Sequence, residues 1–130
     1  MKLLLDTQVF VWLTEGDDRL GSSILEKLTD LSNTVYISYF SFFEMAIKAS
    51  IGKMQYDNSI INDLPTMGVE LIMPDRLLLS RYRIYNPSNK DPFDNVLISV
   101  ALNEKCTLVT SDQKILAVAE SALSLLDATC

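Results

Sequence analysis

The spacing of apolar and polar positions changes period several times along the chain, and each change marks an element. Lys2 to Leu5 is a short apolar run closed by Asp6-Thr7, too continuous for a half-exposed strand and suited to the buried centre of a parallel sheet. From Val9 to Leu13 the spacing turns helical, and Gly16-Asp17-Asp18 breaks it; a second helix is predicted over 22–31, with Ile24, Leu25, Leu28 and Leu31 on one face. Thr34 to Ser38, β-branched and aromatic, predicts the second strand. Phe40 to Ile51 predicts a helix that is apolar nearly all round, hence buried, and stopped at Gly52. A weaker helix over 58–67, a short strand over 69–72 and a helix over 75–82 follow. Asn86 to Lys90 reads as a loop, and Asp91-Pro92 opens a long helix running to about Glu104, because Asp caps well and Pro suits the first turn. Thr107 to Thr110 is a fourth strand, Asp112 to Ala119 a short helix and Ala122 to Leu126 a last strand.

Strands that alternate with helices predict the α/β class: a central parallel sheet covered on both faces, three layers α/β/α. At 130 residues with 48% hydrophobic content, and with no repeat, charge block or Gly/Pro-rich linker, the chain reads as a single domain over 1–130. Asp6 interrupts what would otherwise open like a signal peptide, and no apolar stretch approaches the roughly 20 residues of a membrane span. The expected compartment is the cytoplasm. Two cysteines, Cys106 and Cys130, imply no disulfide framework.

Histidine is absent from the whole chain, which removes Ser-His and Cys-His nucleophilic schemes, histidine-based ribonuclease chemistry and the usual zinc-hydrolase ligand sets. A net charge of -6 argues against a simple basic module that grips nucleic acid by its phosphates. Carboxylates remain. In open parallel sheets, sites form beyond the carboxyl ends of the strands. Asp6 ends the first strand, Asp112 follows the fourth, Asp94 sits in the first turn of the helix leading to that strand, and Glu44 lies one turn into the helix after the second. If they converge, their mutual repulsion calls for a cation between them, and an all-oxygen set favours Mg²⁺ or Mn²⁺ over zinc. Such an ion activates water against phosphorus, so phosphodiester hydrolysis is the reaction that fits. Each acid also has a structural explanation: Asp6, Asp91 and Asp112 as helix N-caps, and Glu44 as the partner of Lys48 one turn on. For Glu44, flanked by Phe40, Phe42, Phe43, Met45, Ala46 and Ile47, the structural reading is weaker, because burial of an unpartnered carboxylate is costly.

Four segments taken together resemble a known family: Leu3-Leu4-Leu5-Asp6-Thr7; Ser38 to Lys48 (SYFSFFEMAIK); Asp91 to Ala101 (DPFDNVLISVA); and Leu108 to Asp112 (LVTSD). In this order and at this spacing they resemble the PIN-domain nucleases and, within them, the VapC-type toxins of bacterial toxin–antitoxin pairs. The resemblance implies an endoribonuclease whose Asp6, Glu44, Asp94 and Asp112 hold Mg²⁺ or Mn²⁺, with Asp91 as a possible helper and the hydroxyls of Thr7, Ser41 and Thr110 beside the acids. It further implies RNA as substrate, a homodimer and a cognate antitoxin; an RNA-processing nuclease of the same fold without an antitoxin is the alternative. Lys48, Lys53, Arg81, Arg83 and Lys90 are the basic residues placed to approach RNA phosphates, and equally read as solvated surface charge. Trp12, Phe42 and Phe43 are candidates for an antitoxin groove, or else core. Many relatives carry His where Gln8 and Asn89 stand, and Arg where Asn95 stands, so substrate contacts do not carry over at those positions.

A response-regulator receiver would need a Lys after a late strand, and a haloacid-dehalogenase-like phosphatase an Asp where Gln8 stands; both are disfavoured. A non-catalytic binding domain would be supported by loss of one acid, and all are present.

Overall fold

The computed structural model describes residues 1–84, 91–118 and 122–130. The order of elements is β1 (Lys2–Leu5), α1 (Thr7–Glu15), α2 (Ser22–Thr29), β2 (Thr34–Ser38), α3 (Tyr39–Ser50), a 3-10 turn (Asn58–Asp63), α4 (Leu64–Met67), β3 (Val69–Ile72), α5 (Arg76–Ile84), α6 (Pro92–Glu104), β4 (Thr107–Thr110), α7 (Gln113–Leu116) and β5 (Ser124–Asp127).

The five strands form one sheet in the order β3-β2-β1-β4-β5, every neighbouring pair parallel. The chain winds outward from β1 to β3, then returns to the other side of β1 for β4 and β5. The direction of winding therefore reverses between β1 and β4, which is where a doubly wound sheet opens a crevice beyond its strand ends. Because side chains alternate across a strand, Leu3 and Leu5 face one layer and Leu4 the other. Leu3 and Leu5 pack with Val9 and Phe10 of α1, Ile24 of α2, Phe42 and Met45 of α3 and Leu64 of α4. Leu4 packs with Leu78 of α5, Ile98 and Ala101 of α6 and Ile115 of α7. All three leucines of β1 are fully buried, as a central strand sandwiched between helix layers requires.

Several predicted boundaries move, each for a local reason. The second helix stops at Thr29 rather than Leu31, because the Asp30 carboxylate turns back to accept from the Ser32 N–H at 2.9 Å, and Leu31 is left fully exposed. The weak helix over 58–67 divides at Leu64, beside Pro65, into the 3-10 turn and α4. Asp75, expected to open the helix over 75–82, instead precedes it and accepts from the Leu78 N–H, while Asp112 takes the N-cap place that its residue type suggests and accepts from the Lys114 N–H. The last strand lies at 124–127, beginning two residues and ending one residue later than expected. The expectation of a wholly buried α3 is corrected: Phe42 and Met45 are buried, but Phe43, Ile47 and Ile51 form an exposed ridge at four-residue spacing. The sheet lies against only part of that helix. The expected loop over 86–90 lies outside the described residues.

Gly21 ends the loop before α2 and meets the far end of the chain. Its N–H donates to the Ala128 carbonyl at 2.9 Å and the Ser23 N–H to the Cys130 carbonyl at 3.1 Å. A Cβ at position 21 would stand 2.1 Å from the Cys130 carbonyl carbon. Only glycine admits that approach.

Candidate functional site

Asp6 is the N-cap of α1: its Oδ1 accepts from the Val9 N–H at 2.7 Å. Its other oxygen accepts from the Thr110 hydroxyl, which in turn accepts from the Asp112 N–H at 3.1 Å. The two strands that flank the reversal of winding are thus tied together at their carboxyl ends through two acids and one hydroxyl. Asp112 caps α7, accepting from the Lys114 N–H at 2.8 Å. On the β2 side, Ser38 ends the strand and caps α3 by accepting from the Phe40 N–H, which starts the helix that carries Glu44 inward. The Thr7 hydroxyl donates to Glu44 Oε1 at 2.6 Å and lies 3.0 Å from the buried Ser41 hydroxyl. Glu44 Oε2 is paired with Lys48 Nζ at 3.0 Å. Asp91 caps α6 by accepting from the Phe93 N–H at 2.9 Å, placing Asp94 in the first turn.

Asp6, Glu44, Asp91, Asp94 and Asp112 line one cleft of about 310 Å³, together with Thr7, Gln8, Lys48, Leu97 and Ser111. The acids come from widely separated stretches: Asp6, Glu44 and Asp112 follow β1, β2 and β4, which are adjacent and parallel, and Asp91 and Asp94 start α6, whose N-terminal end lines the same cleft. The electrostatics match this crowding. The Asp6 carboxyl, only 6% exposed, is held above its ordinary value first by burial, with the neighbouring charges of Glu44 and Asp112 adding to the effect, while the hydrogen bonds from Thr110 and Val9 oppose it.

Of the expected hydroxyls, Thr7, Ser41 and Thr110 are all buried and bonded or adjacent to the acids. Of the basic residues, Lys48 lines the cleft; Lys53, Arg81 and Arg83 are exposed and do not line it; Lys90 lies outside the described residues. Trp12 and Phe42 belong to the core, Phe42 packing edge-on against Phe10 at 5.7 Å, whereas Phe43 is half exposed. Sequence reasoning did not single out Gln8, Leu97 and Ser111 as site residues. Their signal is adjacency: two positions after Asp6, one turn after Asp94 and one before Asp112.

Among the described residues no three acidic side chains are already arranged as a ready ligand set for one metal ion. The donor chemistry nevertheless fits a hard dication: the cleft offers carboxylate and hydroxyl oxygens with no imidazole or thiolate, and its most buried acid sits in the field of two others.

A doubly wound parallel sheet with an acid-lined cleft at its switch point defines the class, an open α/β domain with its candidate site beyond the strand ends. The sequence profile of the PIN domain matches residues 3–121, and the chain belongs to the PIN domain family. No curated protein sequence matches it. Among solved structures it is similar to VapBC2 from Rickettsia felis bound to a DNA fragment from their promoter, at 23% identity and a TM-score of 0.69, covering 97% of this chain and 98% of that one. It is similar also to VapBC-1 from nontypeable Haemophilus influenzae, at 22% identity, TM-score 0.68 and full coverage of both chains (100% and 100%). A toxin–antitoxin complex from Klebsiella pneumoniae aligns at 15% identity and TM-score 0.65, over 97% of each chain. At these identities the likeness is one of fold. Among the described residues no helix is long and apolar enough to cross a membrane.

Proposed function

We propose that this chain is a divalent-cation-dependent endoribonuclease and the toxin of a toxin–antitoxin pair. The observation that carries the reading is the meeting of Asp6, Glu44, Asp94 and Asp112 in one cleft at the switch point of a PIN-family sheet. These four are the residues that would hold Mg²⁺ or Mn²⁺, with Asp91 at the edge of the set. A bound dication supplies a water of lowered pKa and neutralises charge on the phosphate and the leaving oxygen.

The protein's own groups do the positioning. Thr110 and the Val9 N–H take one oxygen each of Asp6, so the carboxylate cannot rotate and its remaining lone pairs are presented in a fixed direction. Thr7 holds Glu44 in the same way. Glu44 accepts the single Thr7 proton, so the Ser41 hydroxyl, 3.0 Å away, is left to donate to the Thr7 oxygen, and a short hydroxyl relay supports the acid from below. An RNA phosphodiester approaching this acid-lined cleft meets like charge, which makes substrate binding conditional on a cation. The solved complexes with similar folds support an antitoxin as partner, and the same reading gives a homodimer acting in the cytoplasm.

The test is incubation of the purified protein with total RNA, tRNA and messenger RNA in Mg²⁺, in Mn²⁺ and in excess chelator, with fragments read by sequencing. Cleavage at defined positions that disappears with the chelator is expected. Intact RNA in every condition, or cleavage indifferent to the chelator, refutes the reading.

A further inference from the structure

Building on the nuclease reading, we propose that Lys48 is the built-in counter-ion of the acidic cleft: its ammonium holds Glu44 until a divalent cation takes over, and so sets the cation concentration the site requires. In the commonest form of an i,i+4 pair both partners lie in water and the interaction is weak. Here the surroundings differ. The Glu44 side chain is 16% exposed, its Oε1 is taken by the Thr7 hydroxyl at 2.6 Å, and its Oε2 is taken by Lys48 at 3.0 Å. Both oxygens of this carboxylate are therefore engaged before any cation arrives.

Lys48 is also the single cationic side chain among the described residues that line the cleft, against five carboxylates. Departure of the ammonium without replacement would leave a mostly buried negative charge facing other negative charges, which is unfavourable. Arrival of a dication among the same acids would instead repel the ammonium, because like charges in a part-buried site are poorly screened. Each cation lowers the other's occupancy, and this antagonism is reciprocal. The ammonium, at the more exposed end of the pair with 44% of its side chain accessible, has room to swing outward without disturbing α3.

Thermal melts of the purified protein across a Mn²⁺ titration decide the matter, with Lys48→Met to remove the charge and keep the stem, and Lys48→Arg to keep the charge. Each variant is referred to its own melting temperature without metal. In Lys48→Met the Mn²⁺ concentration giving half of the stabilisation is expected to fall roughly tenfold, equivalent to about 1.4 kcal/mol, and in Lys48→Arg to stay near that of the wild type. An unchanged or higher midpoint in Lys48→Met, with the wild type responding normally, overturns the counter-ion role and leaves the nuclease reading standing. Weaker binding of a short RNA by Lys48→Met at an unchanged Mn²⁺ midpoint also overturns it, assigning the ammonium to a phosphate instead. No Mn²⁺ stabilisation of the wild type itself would bring down both readings.

Discussion

The Thr110 hydroxyl donates to the carboxylate of Asp6, joining the carboxyl ends of β4 and β1 across the switch point of the sheet. Since the same hydroxyl accepts the Asp112 N–H, one fully buried oxygen orients two acids of the cleft. Thr110→Val keeps the shape and removes both bonds. Cation-dependent RNA cleavage is expected to fall about 10–100-fold, as it does when groups supporting a metal ligand are lost, while Thr110→Ser restores most of it. Initial rates on a fluorogenic RNA oligomer at saturating Mn²⁺ check this; a fully active Thr110→Val removes the positioning role.

Asp6→Asn retains an oxygen for the Val9 N–H and so preserves the α1 cap, yet it deletes a charge directed into the cleft. Cleavage by Asp6→Asn, and likewise by Asp94→Asn, is expected to drop by more than about 100-fold with the far-UV circular dichroism unchanged. Either variant cleaving at the wild-type rate would contradict the assignment of that residue.

Asp6 also makes a prediction in pH. Burial raises its carboxyl above the ordinary 3.8, so the folded protein holds that proton more tightly than the unfolded chain does. Its contribution to stability is fully present below 3.8 and is lost as pH rises through the folded value, beyond which the buried charge is a cost. Without metal, Asp6→Asn should therefore melt a few degrees above the wild type at neutral pH, with the gap closing as pH falls toward 3.8. Calorimetry over that range measures it; a gap that stays constant or reverses argues that other groups hold the Asp6 charge comfortably.

Gly21→Ala forces a methyl group into the Thr129 and Cys130 backbone, 2.1 Å from the nearest carbon, and backbone cannot step aside as a flexible side chain would. Stability is expected to fall by about 1–3 kcal/mol, read as a lower urea midpoint with cleavage per folded molecule retained. An unchanged midpoint would mean that the segment after β5 is not seated on α2.

Lys105 ends α6 in the left-handed region at φ 55°, with its N–H bonded to the Ala101 carbonyl. A lysine pays a steric penalty there that glycine does not. Lys105→Gly is expected to stabilise the protein by about 0.5–1 kcal/mol, seen as a raised melting temperature, because the residue is exposed and little packing is lost.

The sequence alone determined the elements and their class. Runs such as Leu3-Leu4-Leu5 and Thr107 to Thr110 are apolar or β-branched throughout, and in a parallel sheet buried on both faces that pattern needs no partner to be recognised. Asp6, Asp91 and Asp112 were legible as turn and cap residues because capping is local chemistry, decided within three residues. Tertiary structure decided which acids face one another. Strand order places the ends of β1, β2 and β4 side by side, and that adjacency, with the N-terminal end of α6 at the same cleft, brings Asp6, Glu44, Asp94 and Asp112 together. It also decided that Phe42 is core while Phe43, its neighbour, is half exposed, since the face a helix buries depends on where its sheet lies. Contacts such as Thr110 to Asp6 and Gly21 to Cys130 join residues more than one hundred positions apart, and local periodicity carries no information at that distance.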